Sequence, residues 1–162
     1  MRTPGRSTSA IAFTPAYVEI EAAYLVPAGS PLKAIGDVDR PGVRIAVTAR
    51  SAYGLWLDRN IKRAELVRSD TLDSAYQQFV ARSLDALAGL RPRLLSDVAK
   101  LPGARILEGQ FTAVQQAVGT PRKNVAGARF LRDFVETAKA SGLVARLIER
   151  HRVRGLSVAP PA

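Results

Sequence analysis

From residue 43 to residue 109 the apolar residues keep changing their period: short alternating runs give way to stripes spaced three and four apart, and then alternate again. A chain patterned this way has few folds open to it. Strands that alternate with helices of about 10–15 residues imply right-handed crossovers and a parallel sheet, because a right-twisted strand feeding a helix packs back onto its sheet in that hand. "VRIAV" sets Val43, Ile45 and Val47 on one face and Ala46 on the other, small enough behind to take a packed helix. "ELV" and "LDALAGL" read as the next strands and "ARILEG" as a fourth. Between them Tyr53, Trp56, Leu57, Ile61 and Ala64 stripe one helix, and Leu72, Ala75, Tyr76, Phe79 and Val80 stripe a second. "RPRLLSDVAKLPG" is a third, opened by Pro92 and closed at Gly103. The fold class is α/β.

On either side the pattern is looser. "VEIEAAYLVPAGSP" starts as a strand and leaves into a turn at Pro27, Gly29 and Pro31, "DVDRPG" reads as a turn, and "FTAVQQAVGTP" as an extended connector. Leu131, Phe134, Val135 and Ala138 stripe a helix that stops at Ser141 and Gly142; Leu143, Val144, Leu147 and Ile148 stripe another. Two consecutive helices with no strand after them need some other surface to pack on. "GLSVAPPA" reads as a tail.

A 162-residue chain has room for one domain and a core that buries roughly 68–70% of the unfolded surface. With 47% apolar and 23% charged residues, disorder is not the default. No apolar run approaches the ~20 residues a bilayer span needs. "MRTPGRSTSAIAF" lacks the apolar stretch of about 7–15 residues of a secretory signal, so the sequence reads as carrying no export address. Zero cysteines exclude disulfides, thiolate metal sites and cysteine nucleophiles, and His151 alone makes no histidine-rich metal site. The net charge of +10 raises nucleic acid as a partner, but Lys and Arg are scattered from Arg2 to Arg154. The densest group, "RLIERHRVRG", falls on the last turns of a helix, where cations favour the dipole. The reading is a solvated face and no nucleic acid.

Open parallel sheets bind ligands outside the carboxyl ends of their strands, where loops and helix N-termini converge. Three such corners are legible, at residues 48–53, 69–71 and 88–91. They supply Thr48, Arg50, Ser51, Tyr53, Ser69, Thr71, Gly89 and Arg91, with Asp85 in the neighbouring strand pattern. Hydroxyls, helix amides and the guanidinium groups of Arg50 and Arg91 suit an anionic group such as a carboxylate. Each residue has a structural alternative. Ser51 is an N-cap whatever else it does, Arg50 and Arg91 can be surface cations, Asp85 can be a structural acceptor, and Tyr53 and Trp56 lie on a core stripe. Catalytic motifs are scarce. "SPLK", at residues 30–33, matches Ser-x-x-Lys without its partner motifs, and there is no Walker loop, no Gly-x-Gly-x-x-Gly and no credible Ser/His/Asp set. The sequence offers binding, with no catalytic residue, no cofactor and no metal expected.

"TPAYVEIEAAYLVPAGSPLKAIGDVDRPGVRIAV", then "SAYGLWL", "LDALAGLR" and "FVETAKASGLVARLIERH" resemble, in that order, the bacterial extracellular solute-binding proteins of family 3, the amino-acid type serving ABC importers. The resemblance runs over about residues 12–159. It implies a periplasmic-binding-protein-like type II fold, two α/β lobes joined by two crossover strands that close on a ligand between the lobes. On that reading residues 1–30 are a remnant of the first lobe and the first crossover, 31–109 a complete lobe, and 110–162 the return crossover and C-terminal helices of the first lobe. Most of the first lobe would be missing, including the segment where relatives carry an arginine for the ligand carboxylate. Leu90 stands where many relatives have an aspartate for the α-ammonium, and with Arg91 beside it this implies an anionic or otherwise non-amino-acid solute. The implied partners are a small-molecule solute, an ABC transporter permease and, through exposed faces of the C-terminal helices, a second copy; the implied location is periplasmic. Two other functions share the architecture. One is a dehydratase acting on cyclohexadienyl substrates, for which Asp85 and Glu108 are the available acids. The other is the ligand-sensing domain of a transcription regulator, although no helix-turn-helix precedes it in this sequence.

Overall fold

The computed structural model describes residues 10–162, and the order of strands and helices read from the sequence stands in it. The first nine residues of the segment searched for an export signal lie outside the described residues. The elements are β1 (Ile11–Phe13), β2 (Val18–Val26), β3 (Arg44–Thr48), α1 (Ala52–Asn60), β4 (Glu65–Ser69), α2 (Leu72–Ala81), β5 (Ala86–Leu90), α3 (Arg91–Val98), β6 (Arg105–Ile106), β7 (Thr112–Gln116), β8 (Gly119–Pro121), α4 (Val125–Ala140), α5 (Leu143–Arg150) and β9 (Leu156–Val158). They divide into two compact units. The larger holds Ile20–Val114 and Val153–Leu156; the smaller holds residues 10–19, Gln115–Arg152 and Ser157–Ala162.

In the larger unit the strands lie in the order β4-β3-β5-β2-β6. β3 is parallel to β4 and to β5, as the alternation of strands and helices requires. β2 is antiparallel to both β5 and β6, so β6 still points the same way as β5 with a reversed strand between them. Helices cover both faces of this sheet. Ile45, Val47, Ala86 and Ala88 pack with Tyr24, Tyr53 and Leu57 on the α1 side. Ala46, Val67 and Leu87 pack with Ala75, Phe79 and Leu94 on the side of α2 and α3. This explains β2. Residues 19–21 are partly exposed, but Ala22 through Val26 are all buried, as expected of a strand covered on both faces.

Local signals set the boundaries. Ser51 caps α1 by accepting from the Gly54 amide at 3.0 Å, and Thr71 caps α2 in a reciprocal pair with Ser74. α1 ends at Asn60, earlier than its stripe implied, yet Ile61 and Ala64 still pack on the core beyond it. α3 ends at Val98 rather than near Gly103, and the rest of that stretch is turn.

In the smaller unit β1 and β8 form a two-stranded antiparallel ribbon, joining Ile11–Phe13 to Gly119–Pro121. The segment read as a connector therefore contains two strands, β7 and β8, and the segment read as a tail contains β9. β7 and β9 each pair with β2, and Ala159 is buried with its amide donating to the Tyr17 carbonyl at 3.1 Å. Strands of three residues carry too little alternation to be seen in sequence; their partners lie far along the chain. α4 starts at the Asn124 cap, six residues ahead of its stripe, and Gly142 (φ +74°) makes the turn into α5. The Lys139 side chain is 6% exposed and fully used: it pairs with Glu136 at 2.7 Å and donates to the carbonyls of Ala16 and Pro160 at 3.0 and 2.8 Å.

Candidate functional site at the carboxyl ends of the strands

β3 and β4 end in register, Thr48 against Ser69. Neighbours in a parallel pair put their side chains on the same face, here the face of α2 and α3. Both side chains are about nine-tenths buried, and neither Thr48 Oγ1 nor Ser69 Oγ has a hydrogen-bond partner among the described residues. A buried hydroxyl left this way costs about 1–3 kcal/mol, so two side by side mark a position with a use for them.

The chain leaves Thr48 through Ala49, whose amide donates to the Ser69 carbonyl at 2.8 Å, and through Arg50, whose φ of +59° is unusual for a residue with a side chain. Ser51 then donates to the Thr48 carbonyl at 2.7 Å while capping α1, which ties the helix to the strand end. Gly54 completes the join: a Cβ there would lie 2.6 Å from the Thr48 carbonyl oxygen. The first turn of α1, where a helix leaves donors unpaired and carries its positive end, therefore sits directly on this corner. Arg50 is exposed and pairs with no carboxylate among the described residues.

The other expected residues fall differently. Tyr53 is 3% exposed and packed in the core, its hydroxyl unpartnered among the described residues, and it lines a cavity of only about 10 Å³ together with Thr48, Gly89, Arg93, Leu94 and Asp97. Gly89 lets α3 approach, since a Cβ there would meet Leu94 Cδ2 at 2.9 Å. Thr71 is committed to capping α2. Trp56 is half-buried and packs against the core, its ring 5.4 Å from Phe111, which in turn lies 4.5 Å from Tyr24. Burial pushes the Tyr24 phenol well above its ordinary value.

Two of the expected residues have partners within the protein. Asp85 precedes β5 and accepts from the Arg44 amide at 2.8 Å, at the amino ends of the strands and about 15 Å from the rim along a five-residue strand. Arg91 is at the rim end of β5 but turns to β2. Ala22 pairs with Leu90 there, and the Arg91 guanidinium meets the Glu21 carboxylate and the Gly109 carbonyl. Its charge is spent inside the protein. Glu108, the other acid considered, is exposed beyond β6.

The sequence reading missed the acids that organise this end and its surroundings. Arg93 Nε bonds both oxygens of the fully buried Asp97, at 2.9 and 3.1 Å, and its other nitrogen reaches Asp73 on α2 at 2.7 Å. The bond from Arg93 holds the Asp73 carboxyl below its ordinary value, and the Asp73 and Asp97 carboxylates raise the arginine. The i,i+4 spacing of Arg93 and Asp97 was there to read; Asp73, twenty residues away, was not. No three His, Cys, Asp or Glu side chains converge as ion ligands among the described residues, and no helix among them is long and apolar enough to cross a membrane.

No protein-family model matches the chain, and no curated protein sequence does. Solved structures do. A binding component of an ABC transporter from Wolinella succinogenes, complexed with lysine, matches with a TM-score of 0.72 at 20% identity over 86% of this chain and 62% of its own. The solute receptor for L-cysteine of Neisseria gonorrhoeae matches at 0.73, with 16% identity over 98% of this chain and 67% of its own. An ancestral amino-acid-binding protein, a precursor of cyclohexadienyl dehydratase, matches at 0.68, with 17% identity over 87% and 60%. The chain thus has the periplasmic-binding-protein-like type II fold, and it spans about three fifths to two thirds of the length of these structures.

Proposed function

We propose that the chain is the solute-gripping part of a receptor serving an ABC importer, with the carboxyl-end rim of its larger unit as one wall of the site. One observation carries this: Thr48 Oγ1 and Ser69 Oγ, adjacent, buried and unpartnered, beside the first turn of α1. A ligand group that accepts hydrogen bonds would pair the hydroxyls and meet the positive end of the helix, with Arg50 as the unpaired cation at the edge. The solute class is small and polar or anionic. Leu90 puts no charge at the rim, so an α-ammonium has no carboxylate to meet at that position.

The domain reading is part of this proposal. Residues 31–109 belong to the complete lobe together with the part of β2 from Ile20 onward, while α4 and α5 belong to a partial one whose faces call for cover from further polypeptide or a second copy. The permease partner and periplasmic location go with the receptor reading. The dehydratase reading draws support from one structural likeness, but Asp85 lies at the wrong end of the strands to serve the rim.

Titration calorimetry against amino acids and organic acids tests the proposal. One wall buries only part of a solute, so the expected affinity is weak, on the order of millimolar, and selective for a polar or anionic compound. Thr48→Val combined with Ser69→Ala should weaken it by about tenfold, one to two lost hydrogen bonds, while leaving the fold intact. Tight binding of a neutral or basic amino acid would defeat the solute class; binding untouched by the double substitution would defeat the site.

A further inference from the structure

Arg91 is the point on which three chain segments converge. Its Nε meets the Glu21 carboxylate of β2, and its Nη2 meets the carbonyl of Gly109, ahead of β7. Its aliphatic stem lies against Gly155, ahead of β9, where a Cβ would come within 2.6 Å of the arginine's own Cβ. Each of these segments continues from the larger unit into the smaller, through residues 19–20, 114–115 and 156–157. All three contacts lie within the larger unit, at or near the place where a segment leaves it.

The geometry points to Arg91 as a positioning residue, a clasp that fixes on the larger unit the exits of three connecting segments. The backbone supports the same junction: the Glu21 amide donates to the Gly155 carbonyl at 2.9 Å, and the Phe111 amide donates to the Ala22 carbonyl at 2.9 Å. Glu21 is thus held at both its amide and its carboxylate. Arginine suits the task because its planar fork presents two nitrogens, held at a fixed spacing, to two acceptors, which a lysine ammonium cannot span in the same way. Its side chain is 18% exposed and that of Glu21 is 42% exposed, so the pair is shielded from solvent on the arginine side only. Gly155 is doubly constrained, by the arginine stem and by its φ of +83°. The clasp stands on these contacts alone; only its bearing on receptor closure, through the stiffness of the connections, rests on the function proposed above.

Amide hydrogen exchange on the full chain tests it, with Arg91→Ala, Arg91→Lys and Glu21→Gln beside the parent. The expected result in Arg91→Ala is exchange about tenfold faster at the Glu21 and Phe111 amides, with the Ala49 and Leu55 amides near the α1 cap changed by less than about twofold. Glu21→Gln should reproduce that profile and Arg91→Lys fall between. If Arg91→Ala does not fold, the other two variants carry the same reading. Unchanged exchange at Glu21 and Phe111, or a uniform rise across the larger unit, overturns the clasp. Calorimetry on the parent separates the two proposals: absent solute binding with a local exchange response removes the receptor reading and leaves the clasp standing.

Discussion

α2 and α4 carry the same kind of apolar stripe and meet opposite fates. In α2, Ala75 and Phe79 are 1% and 3% exposed, pressed between the sheet and α3. In α4 only Val135 is buried, while Phe130 and Phe134 stack on each other at 6.4 Å with 67% and 55% of their surface exposed. With Leu143 and Leu147 of α5, Phe134 borders an apolar groove of about 230 Å³. The larger unit has a sheet with both faces covered; the smaller offers its helices a ribbon of two three-residue strands. A stripe states which face of a helix wants cover. It does not state what provides it.

The largest expected effect breaks the symmetry between the two phenylalanines. Phe79→Ala should cost about 3–5 kcal/mol in urea unfolding, whereas Phe134→Ala should cost less than about 1 kcal/mol, since its ring has little burial to lose. Equal losses would mean that the α4 face is covered in solution, and sedimentation velocity of the two variants would then show whether a second copy covers it.

A smaller effect sharpens the view of the larger unit as tightly joined. Gly54→Ala forces a methyl toward the Thr48 carbonyl and should cost about 1–3 kcal/mol, while Gly36→Ala, with open space around it, should stay within about 0.5 kcal/mol of the parent. Thermal unfolding of both decides whether the α1 junction is as close as it looks.

The smallest concerns pH. Burial alone would raise the Asp39 carboxyl, but it accepts from the amides of Ala64, Arg63 and Lys62, and these bonds hold it below its ordinary value of 3.8. A folded value below the unfolded one means stability fully present above the unfolded value and lost as pH falls through the folded one. Urea midpoints should therefore decline below about pH 4, and Asp39→Asn should flatten part of that decline by removing the titrating group. An unchanged slope would mean that the other anchored acids of this unit, Asp37 and Asp73, set it.

Much of the larger unit was legible because its signals are local. Ile45, Ala46 and Val47 took the faces their alternation assigned, and the cap at Ser51 is where its residue type placed it. The candidate site was legible in position more than in detail. Thr48 and Ser69 were read as polar groups at strand ends, but their lack of partners depends on the register of two strands well separated along the chain. Asp85 lies at the other end of β5 from the rim, and Arg91 lies at the rim but meets Glu21 and Gly109; only the pairing of β5 with β3 and β2 brings those partners to them.

The sequence by itself determined an α/β chain, the places where its helices start, and the strand ends where polar groups gather, because hydrophobic period and capping act over a few residues. Only the tertiary structure decided that β2 runs reversed through the sheet, that Arg91 serves Glu21 and Gly109, and that β9 is a strand. Those outcomes depend on contacts between residues tens of positions apart, which packing selects and no local pattern records.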